Sequence, residues 1–363
     1  MIMMMKKLTS LRLLFIFILA WLGITFQVFS QEQKQTQEQK KEVEQEQKDR
    51  PPIKLETRLV SLDVTVTDQK SRPIHNLRKE DFIVTEDDAR QDIAFFSTQN
   101  RPISFGLLLD VSGSMTDERQ QIYFSALSIL DSGTSEDEAF LMTFSDKIKT
   151  RKGFTTNIRS LKKSIGDIET RGMTALYDAI ISALDYIQQG KHEKKALIVV
   201  TDGADNRSVA KYADVLEVAR QRGVLLYIMY FSDKRRQHSI AQSVHNVGKD
   251  TVDQIKVTDP ISLMRNLSQV TGGEAHFPQT VKEIWDSSYI ITNELHSQYS
   301  LGYYPTNNAR DGKWRRIKVA VVERPGIPKV YVRARSGYYA PNDKNSSSEN
   351  LQQSVRLLAG AHY

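Results

Sequence analysis

Residues Phe105–Met115 read FGLLLDVSGSM and join an apolar run to a short polar loop. Asp110 ends the apolar run, and Ser112 and Ser114 follow at alternate positions around Gly113. This pattern is typical of a buried strand that ends at the carboxyl edge of an α/β sheet, where ligand-binding loops collect. The carboxylate and the two hydroxyls are hard oxygen donors, which suit Mg²⁺, Mn²⁺ or Ca²⁺ better than zinc or copper. A buried strand that leads into a Ser-rich helix cap would have the same pattern.

Two further segments place a polar residue beside a predicted apolar element. Thr174 opens the helical pattern in Arg171–Ile180, and Asp202 follows the apolar run in Ala196–Asn206. Together the three segments spell Asp-x-Ser-x-Ser, a distant Thr and a distant Asp, which resembles the metal-ion-dependent adhesion site of von Willebrand factor A domains. The resemblance implies that the hydroxyl residues supply oxygens to one divalent ion, while the carboxylates approach it directly or through water. The implied ligands are Asp110, Ser112, Ser114, Thr174 and Asp202.

The resemblance also implies the ion and the partner. Mg²⁺ is the expected ion, with Mn²⁺ or Ca²⁺ as alternatives. The family leaves one coordination position open, usually for a carboxylate, so a protein ligand that presents an acidic residue is the implied partner. Nucleic acid is not expected, because no run of the sequence alternates basic and aromatic positions as a stacking platform does.

A narrower resemblance extends from about Leu59 to Pro341. Over this range the chain is similar to a family of secreted bacterial proteins related to von Willebrand factor A and abundant in acidobacteria. That family implies an architecture more than an activity. The matching segments outside the metal loops are Leu62–Asp68, Asp81–Asp87, Gln298–Pro305 and Val332–Tyr338.

Alternating apolar runs and helical patterns over residues 101–297 predict an α/β fold, a Rossmann-like doubly wound sheet with helices on both faces. The predicted strands are Ser104–Asp110, Ala139–Phe144, Lys195–Thr201 and Val224–Tyr230. The predicted helices are Glu118–Leu130, Ile158–Ile168, Thr174–Gln188, Val209–Arg222, one starting after Asp259 and Val281–His296. In the first helix, the pattern predicts that Tyr123, Ala126, Leu127 and Leu130 face the core.

The segments on either side of this domain are predicted to be β structure. Residues 53–100 form an N-terminal β module and residues 298–340 supply C-terminal strands, as the two-residue alternation in Leu59–Thr67 illustrates. We expect the two segments to form one β-sandwich, with the α/β domain inserted between its halves. Asp311-Gly312 is predicted to form a hairpin turn.

The N-terminus predicts export. Basic residues precede the apolar run Leu13–Ile24, which has the length of a signal-peptide core. Residues 1–30 are therefore predicted to be a signal peptide cleaved before Gln31, or else an uncleaved anchor that would provide the only membrane contact. In both cases the remaining chain is expected to be secreted or periplasmic.

Three other segments are not expected to belong to the core. Residues 31–52 are rich in Gln, Glu and Lys, and residues 341–363 in Asn and Ser at their start, so both are predicted to be disordered. Residues 232–259 are polar and are predicted to form a surface insertion beside the metal face.

Composition narrows the possible chemistry. The chain has 363 residues, of which 40% are hydrophobic and 26% charged, as in an ordinary soluble globular protein. It contains no cysteine, which excludes disulfides, thiol catalysis, Cys-ligated zinc and a lipid-modified cysteine. The net charge of +6 indicates either solvated Lys and Arg side chains or affinity for an acidic partner.

The sequence therefore predicts a non-enzymatic, extracytoplasmic, metal-ion-dependent protein-binding module of the adhesion type. One alternative is a structural or assembly factor of an envelope complex, in which the metal fixes the fold. Another is a metal-dependent hydrolase that activates water. The metal loops offer no general base, and the sequence has no His-Glu-x-x-His, Gly-x-Ser-x-Gly or phosphate-binding loop, which disfavours an enzyme.

Overall fold

The computed structural model describes residues 59–166, 168–231, 259–324 and 329–342. The predicted signal peptide or anchor, the Gln/Glu/Lys linker, the polar insertion up to residue 258 and the tail from residue 343 lie outside the described residues. Within the described ranges, no helix combines the length and the apolar character needed to cross a bilayer.

The described residues form fourteen strands and six α-helices. The strands are β1 (Val60–Thr67), β2 (Phe82–Glu86), β3 (Ala89–Gln91), β4 (Ile93–Ser97), β5 (Ser104–Asp110), β6 (Glu138–Phe144), β7 (Ile148–Thr155), β8 (Lys195–Thr201), β9 (Leu225–Tyr230), β10 (Ala275–His276), β11 (Tyr299–Tyr303), β12 (Trp314–Val321), β13 (Tyr331–Arg333) and β14 (Gly337–Tyr339). The helices are α1 (Arg119–Ser132), α2 (Ile158–Ile165), α3 (Leu176–Tyr186), α4 (Tyr212–Arg222), α5 (Pro260–Thr271) and α6 (Val281–Ser297).

The central sheet has six strands in the order β10-β9-β8-β5-β6-β7, and all except β7 are parallel. Residues of α1, α2 and α6 share one apolar core with one face of this sheet, and residues of α3, α4 and α5 share another with the opposite face. Strands covered on both faces are continuous apolar runs, which is why β5 and β8 occur at their predicted bounds. The predicted doubly wound α/β fold is confirmed.

Strand β7 is absent from the sequence prediction. It is an antiparallel edge strand, and its register with β6 shifts around Leu141. Its sequence, IKTRKGFT, is largely polar and shows neither an apolar run nor a regular alternation. Because β7 is covered less than the central strands, the hydrophobic pattern that reveals the others does not apply to it.

The core-facing side of α1 differs from the prediction. Tyr123, predicted to face the core, is 41% exposed, whereas Ile122 and Ile129 are fully buried. Leu127 is partly buried and packs against the same core, so Tyr123 is the one of the four predicted residues that lies outside it. The prediction was right for Ala126 and Leu130, which are both buried.

The flanking β segments form a two-layered sandwich, as predicted. One sheet has the order β13-β1-β11-β4 and the other β14-β12-β2-β3, so each sheet combines two strands from the N-terminal segment with two from the C-terminal segment. Apolar side chains of both sheets share one core. Leu62 and Val64 of β1 and Leu301 of β11 lie at its centre and are at most 1% exposed.

The predicted hairpin at Asp311-Gly312 is wrong. The strands on either side of it, β11 and β12, lie in different sheets, so the residues between them cross the sandwich and do not connect neighbouring strands. Gly312 does have the left-handed conformation of a turn, with φ of 69°. The pair Asp311-Gly312 therefore predicted the local backbone conformation correctly but the pairing of the flanking strands incorrectly.

The sandwich core generates a stability prediction. Replacing Leu301 with Ala should lower the free energy of unfolding by about 2–5 kcal/mol, because the buried methyl groups are lost and a cavity remains. Chemical denaturation of the full-length chain measures the change. Tyr304→Ala is the control, because Tyr304 lies three residues after Leu301 and is 51% exposed. Its free energy of unfolding should stay within about 0.5 kcal/mol of the parent's. Equal effects of the two substitutions would contradict the assigned core.

Candidate metal centre

The predicted site lies at the carboxyl edge of the central sheet. Strands β5 and β8 are parallel neighbours, paired from Ser104 with Lys195 to Leu109 with Val200. The residues that follow the last pair, Asp110 and Asp202 among them, are therefore brought to the same edge of the sheet. This is the edge at which ligand sites of open α/β sheets form.

Asp110 is fully buried and both of its carboxylate oxygens are hydrogen-bonded. Oδ1 accepts from the backbone N–H of Ser112 at 2.9 Å, and Oδ2 accepts from the Thr201 hydroxyl at 2.7 Å. The pKa of Asp110 is raised from 3.8 to about 7, chiefly by burial and to a smaller extent by the nearby Asp202 carboxylate, while the bonds from Ser112 and Thr201 oppose the rise. The charged form of Asp110 is thus costly in the protein alone.

The two serines of the first loop present their hydroxyls side by side. Ser112 Oγ and Ser114 Oγ are 3.0 Å apart, with Ser112 buried and Ser114 exposed. A short 3₁₀ turn over Gly113–Met115 produces this arrangement, and the side chain of Met115, which is fully buried, anchors the turn in the core. Both hydroxyls therefore lie at the rim of the pocket in which Asp110 is buried.

Backbone hydrogen bonds join the first loop to the second. Gly113 N–H donates to the Gly172 carbonyl at 2.9 Å, and Arg171 N–H donates to the Val111 carbonyl at 2.8 Å. Gly172 has φ of 88°, and a side chain there would meet Asp146 Oδ1 at 2.8 Å, so glycine is required at this close approach. The contact brings the segment that contains Thr174 against the Asp-x-Ser-x-Ser loop.

Thr174 is 1% exposed and its backbone is held by the third loop. Its N–H donates to Asn206 Oδ1 at 2.8 Å, and its carbonyl accepts from the N–H groups of Asn206 and Arg207, both at 3.0 Å. Asp205 Oδ1 accepts from the N–H of Leu176 at 2.9 Å, at the start of α3. Asp205 therefore supports the helix and its neighbouring loop.

Asp202 combines burial with an unsatisfied oxygen. It is 3% exposed, and its Oδ1 accepts from the N–H of Ala204 at 2.9 Å. Its Oδ2 is buried and has no hydrogen-bond partner among the described residues. Gly203, with φ of 70°, allows the chain to turn directly after it. A buried carboxylate oxygen without a partner costs free energy unless a cation or a water satisfies it.

This donor set fits a hard divalent cation. Hydroxyls and carboxylates are the ligands that Mg²⁺, Mn²⁺ and Ca²⁺ prefer. Asp202 offers a carboxylate oxygen without a partner among the described residues, and Asp110 offers a carboxylate whose charged form is disfavoured by burial. Within the described ranges, His, Asp and Glu side chains do not gather in groups of three or more that would hold a metal. The predicted set differs from such groups because it relies on hydroxyls, and metal coordination by it stays a prediction.

Two supporting residues, Thr201 and Asn206, were missed by the sequence analysis. Thr201 fixes Asp110, and Asn206 fixes Thr174. The carboxylate of Asp178 in α3 also holds a loop, since it accepts from the N–H groups of Val209 and Ala210, both at 2.9 Å. The contacts of Asn206 and Asp178 join residues about 30 positions apart, so the spacing of the sequence gives no signal for them.

Comparison with known proteins identifies a family that part of the chain matches. Residues 106–204 match the family described as von Willebrand factor type A domain. Inter-alpha-trypsin inhibitor heavy chain H3 from Bos taurus is 28% identical over 190 residues, or 44% of this chain and 21% of the bovine protein. The chain therefore spans about a fifth of the length of that relative.

Two solved structures are similar over larger parts of the chain. Von Willebrand factor type A from Catenulispora acidiphila is 10% identical, covers 78% of this chain and 75% of its own, and has a TM-score of 0.43. The PilB minor pilin from Streptococcus sanguinis is 13% identical, covers 55% of this chain and 63% of its own, and has a TM-score of 0.39.

The raised pKa of Asp110 predicts a pH dependence in the presence of a chelator. Between pH 3.8 and about 7, folded Asp110 holds a proton that the unfolded chain has released, so the free energy of unfolding should fall as pH rises through this window. The loss amounts to about 4 kcal/mol at most. Asp110→Asn, which does not titrate, should show a shallower fall in denaturation experiments over the same pH range. Parallel curves for the two proteins would contradict the assigned burial of this carboxyl.

Proposed function

We propose that this protein, whose residues 106–204 match the von Willebrand factor type A domain family, is an extracytoplasmic, metal-ion-dependent protein-binding module of the adhesion type. One divalent cation, with Mg²⁺ as the first choice and Mn²⁺ or Ca²⁺ as alternatives, would be held by Asp110, Ser112, Ser114, Thr174 and Asp202. A protein ligand would present an acidic residue to the ion. In this proposal the protein is not an enzyme.

The buried carboxylate pair is the single observation that carries the proposal. Asp110 is fully buried, and the buried Oδ2 of Asp202 has no hydrogen-bond partner among the described residues. Two carboxylates close together in an apolar sheet repel each other and are poorly solvated. A divalent cation would offset both costs. Backbone hydrogen bonds fix the loop that contains Thr174, the residue proposed to supply a hydroxyl to the ion.

When bound, the ion would act as a fixed positive charge that attracts a carboxylate. The chain's own residues would orient it. The Thr201 hydroxyl holds one oxygen of Asp110, and the backbone of Ser112 holds the other. Ser114, the exposed member of the serine pair, lies on the solvent side, where a partner approaches.

The surroundings of the site suit a protein partner. Met173 and Val209, which flank the second and third loops, are 48% and 68% exposed. Arg171 and Arg207 are exposed on the same loops. Apolar side chains next to arginines are common in protein interfaces, and the arginines would favour an acidic ligand.

The proposed location outside the cytoplasm rests on the N-terminal sequence. The basic residues and the apolar run Leu13–Ile24 have the form of an export signal. The absence of cysteine means that the folded domain needs no oxidation after export. Assignment to the narrower secreted bacterial family stays a prediction.

A structural or assembly role in an envelope complex is the second candidate, because the same buried carboxylates would be stabilised by a cation that never meets a partner. A hydrolase is less well supported. Asp178 and Asp205, two carboxylates close to the site in sequence, both accept backbone N–H bonds and are therefore engaged in holding loops. A general base must be free to reach a substrate or a water.

From the proposed metal site we expect the protein to bind one divalent cation. Titration of Mg²⁺, Mn²⁺ and Ca²⁺ into the full-length chain, followed by calorimetry, should show one site, and saturating metal should raise the melting temperature because only the folded state binds. Asp202→Ala should abolish both effects. Asp117→Ala, at an exposed carboxylate in the same region, is the control and should bind metal as the parent does. Binding by neither the parent nor the control would overturn the metal site.

Partner capture separates the two roles. With an adhesion role, capture of an acidic protein ligand should disappear with a chelator and with Asp202→Ala. With a structural role, the chelator should lower the melting temperature while capture by the remaining folded protein continues. The second pattern would overturn the adhesion role and leave the metal site intact.

A further inference from the structure

One edge of the central sheet carries most of the excess charge of the protein. The segment Asp146–Lys163, which contains β7 and most of α2, has seven Lys or Arg residues and one Asp. Its net charge of +6 equals that of the whole chain. We call these residues the basic strip: Lys147, Lys149, Arg151, Lys152, Arg159, Lys162 and Lys163.

Most of the basic strip is not neutralised. Lys162 pairs with Asp131 of α1. Five other members form no ion pair within the described part of the chain: Lys147, Lys149, Lys152, Arg159 and Lys163. Of these, all but Lys152 are exposed. Asp146 is the only carboxylate within the segment, so the segment carries an excess of positive charge.

Protection of a sheet edge explains part of this charge. Lysines on an edge strand discourage pairing with other chains, and β7 is an edge strand. Helix α2 has no edge to protect, yet it adds Arg159 and Lys163 to the same surface, since α2 begins three residues after β7 ends and packs against it. The concentration of charge therefore exceeds what protection of the edge requires.

The basic strip begins next to the candidate metal centre. Ser145, which precedes it, accepts a hydrogen bond from the N–H of Ala175 at 2.9 Å and donates to the carbonyl of Lys147 at 3.1 Å. Val111 N–H donates to the carbonyl of Phe144 at 2.8 Å. The same backbone network thus connects the metal loops to the start of the strip.

We propose that the basic strip binds a run of acidic side chains on a partner protein, so that the partner is recognised by several carboxylates in addition to the one at the metal. This deepens the proposed function and rests on it for the shared partner. Lys149 lies in β7, and Lys147 lies in the bend directly before it. Several basic side chains close together in the sequence can pair with several carboxylates of one acidic segment, and this charge complementarity favours such a partner.

Other polyanions fit the basic strip less well. Single-stranded nucleic acid is bound by basic residues together with exposed aromatic rings. Within the described part of the chain, no large exposed hydrophobic side chain belongs to the segment Asp146–Lys163. The same feature disfavours a lipid surface, where stable binding combines basic charge with apolar insertion. Carboxylates need neither.

The test uses the full-length chain and short poly-L-glutamate as the probe, in the presence of a chelator, so that the metal centre does not contribute. The parent should bind the probe, and binding should weaken with added salt. The variant Lys147→Glu/Lys149→Glu/Lys163→Glu should bind about tenfold more weakly, because three exposed ion pairs are lost. The matched control, Lys70→Glu/Lys79→Glu/Lys329→Glu, makes the same charge change at exposed lysines outside the strip and should bind within about twofold of the parent.

The outcomes test the proposed role of the basic strip independently of the metal site. Equal loss in the strip variant and the control would overturn it, since net charge alone would then explain binding. Tighter binding of phosphatidylglycerol vesicles or of RNA than of poly-L-glutamate, lost in the strip variant, would also overturn it. Asp110→Ala should retain chelator-resistant binding of the probe, even if it fails in metal titration. If the triple Glu variant does not fold by circular dichroism, the corresponding triple Gln variant replaces it, with the same expected direction.

Discussion

The burial of two carboxylates at the ends of adjacent parallel strands is the constraint on which this structure depends. Asp110 ends β5 and Asp202 follows β8, and the other residues of these strands are almost entirely apolar and inaccessible. An apolar sheet does not solvate charge, so the two carboxylates at its edge depend on hydrogen bonds from nearby groups. Thr201 and the loop N–H groups satisfy three of the four carboxylate oxygens. The fourth, Oδ2 of Asp202, has no hydrogen-bond partner among the described residues.

The sandwich and the α/β domain are joined by a second set of charges. Arg333 of β13 forms ion pairs with Glu274, beside β10, and with Glu294 of α6. Glu294 is buried, and burial raises its pKa while the Arg333 guanidinium opposes the rise. Because a buried carboxylate needs its partner, this contact fixes the orientation of α6 relative to the C-terminal strands.

Much of this architecture is predictable from the sequence, and the failures have common causes. Apolar runs bounded by polar residues locate β5 and β8 correctly, since strands buried on both faces tolerate little else. The starts of α3 and α4 were predicted two or three residues early, because Thr174 is bound by Asn206 of the third loop and Val209 by Asp178 of α3. The same contacts explain why the five proposed ligands follow from their motif, whereas Thr201 and Asn206, which hold Asp110 and Thr174, were not predicted. Local patterns cannot report partners that only the fold brings together.

The interleaving of the sandwich strands has a consequence for how the protein is made. β1 pairs with β11 and β13, which are separated from it in sequence by the entire α/β domain. A nascent chain that has just released β1–β4 therefore exposes strands whose neighbours do not yet exist, and folding must wait for long-range closure, which is slow. Delayed folding is compatible with translocation across a membrane as an extended polypeptide. It also means that a product of premature termination after α6 would display open strand edges, the feature that makes truncated β proteins associate with one another and become substrates for quality-control proteases.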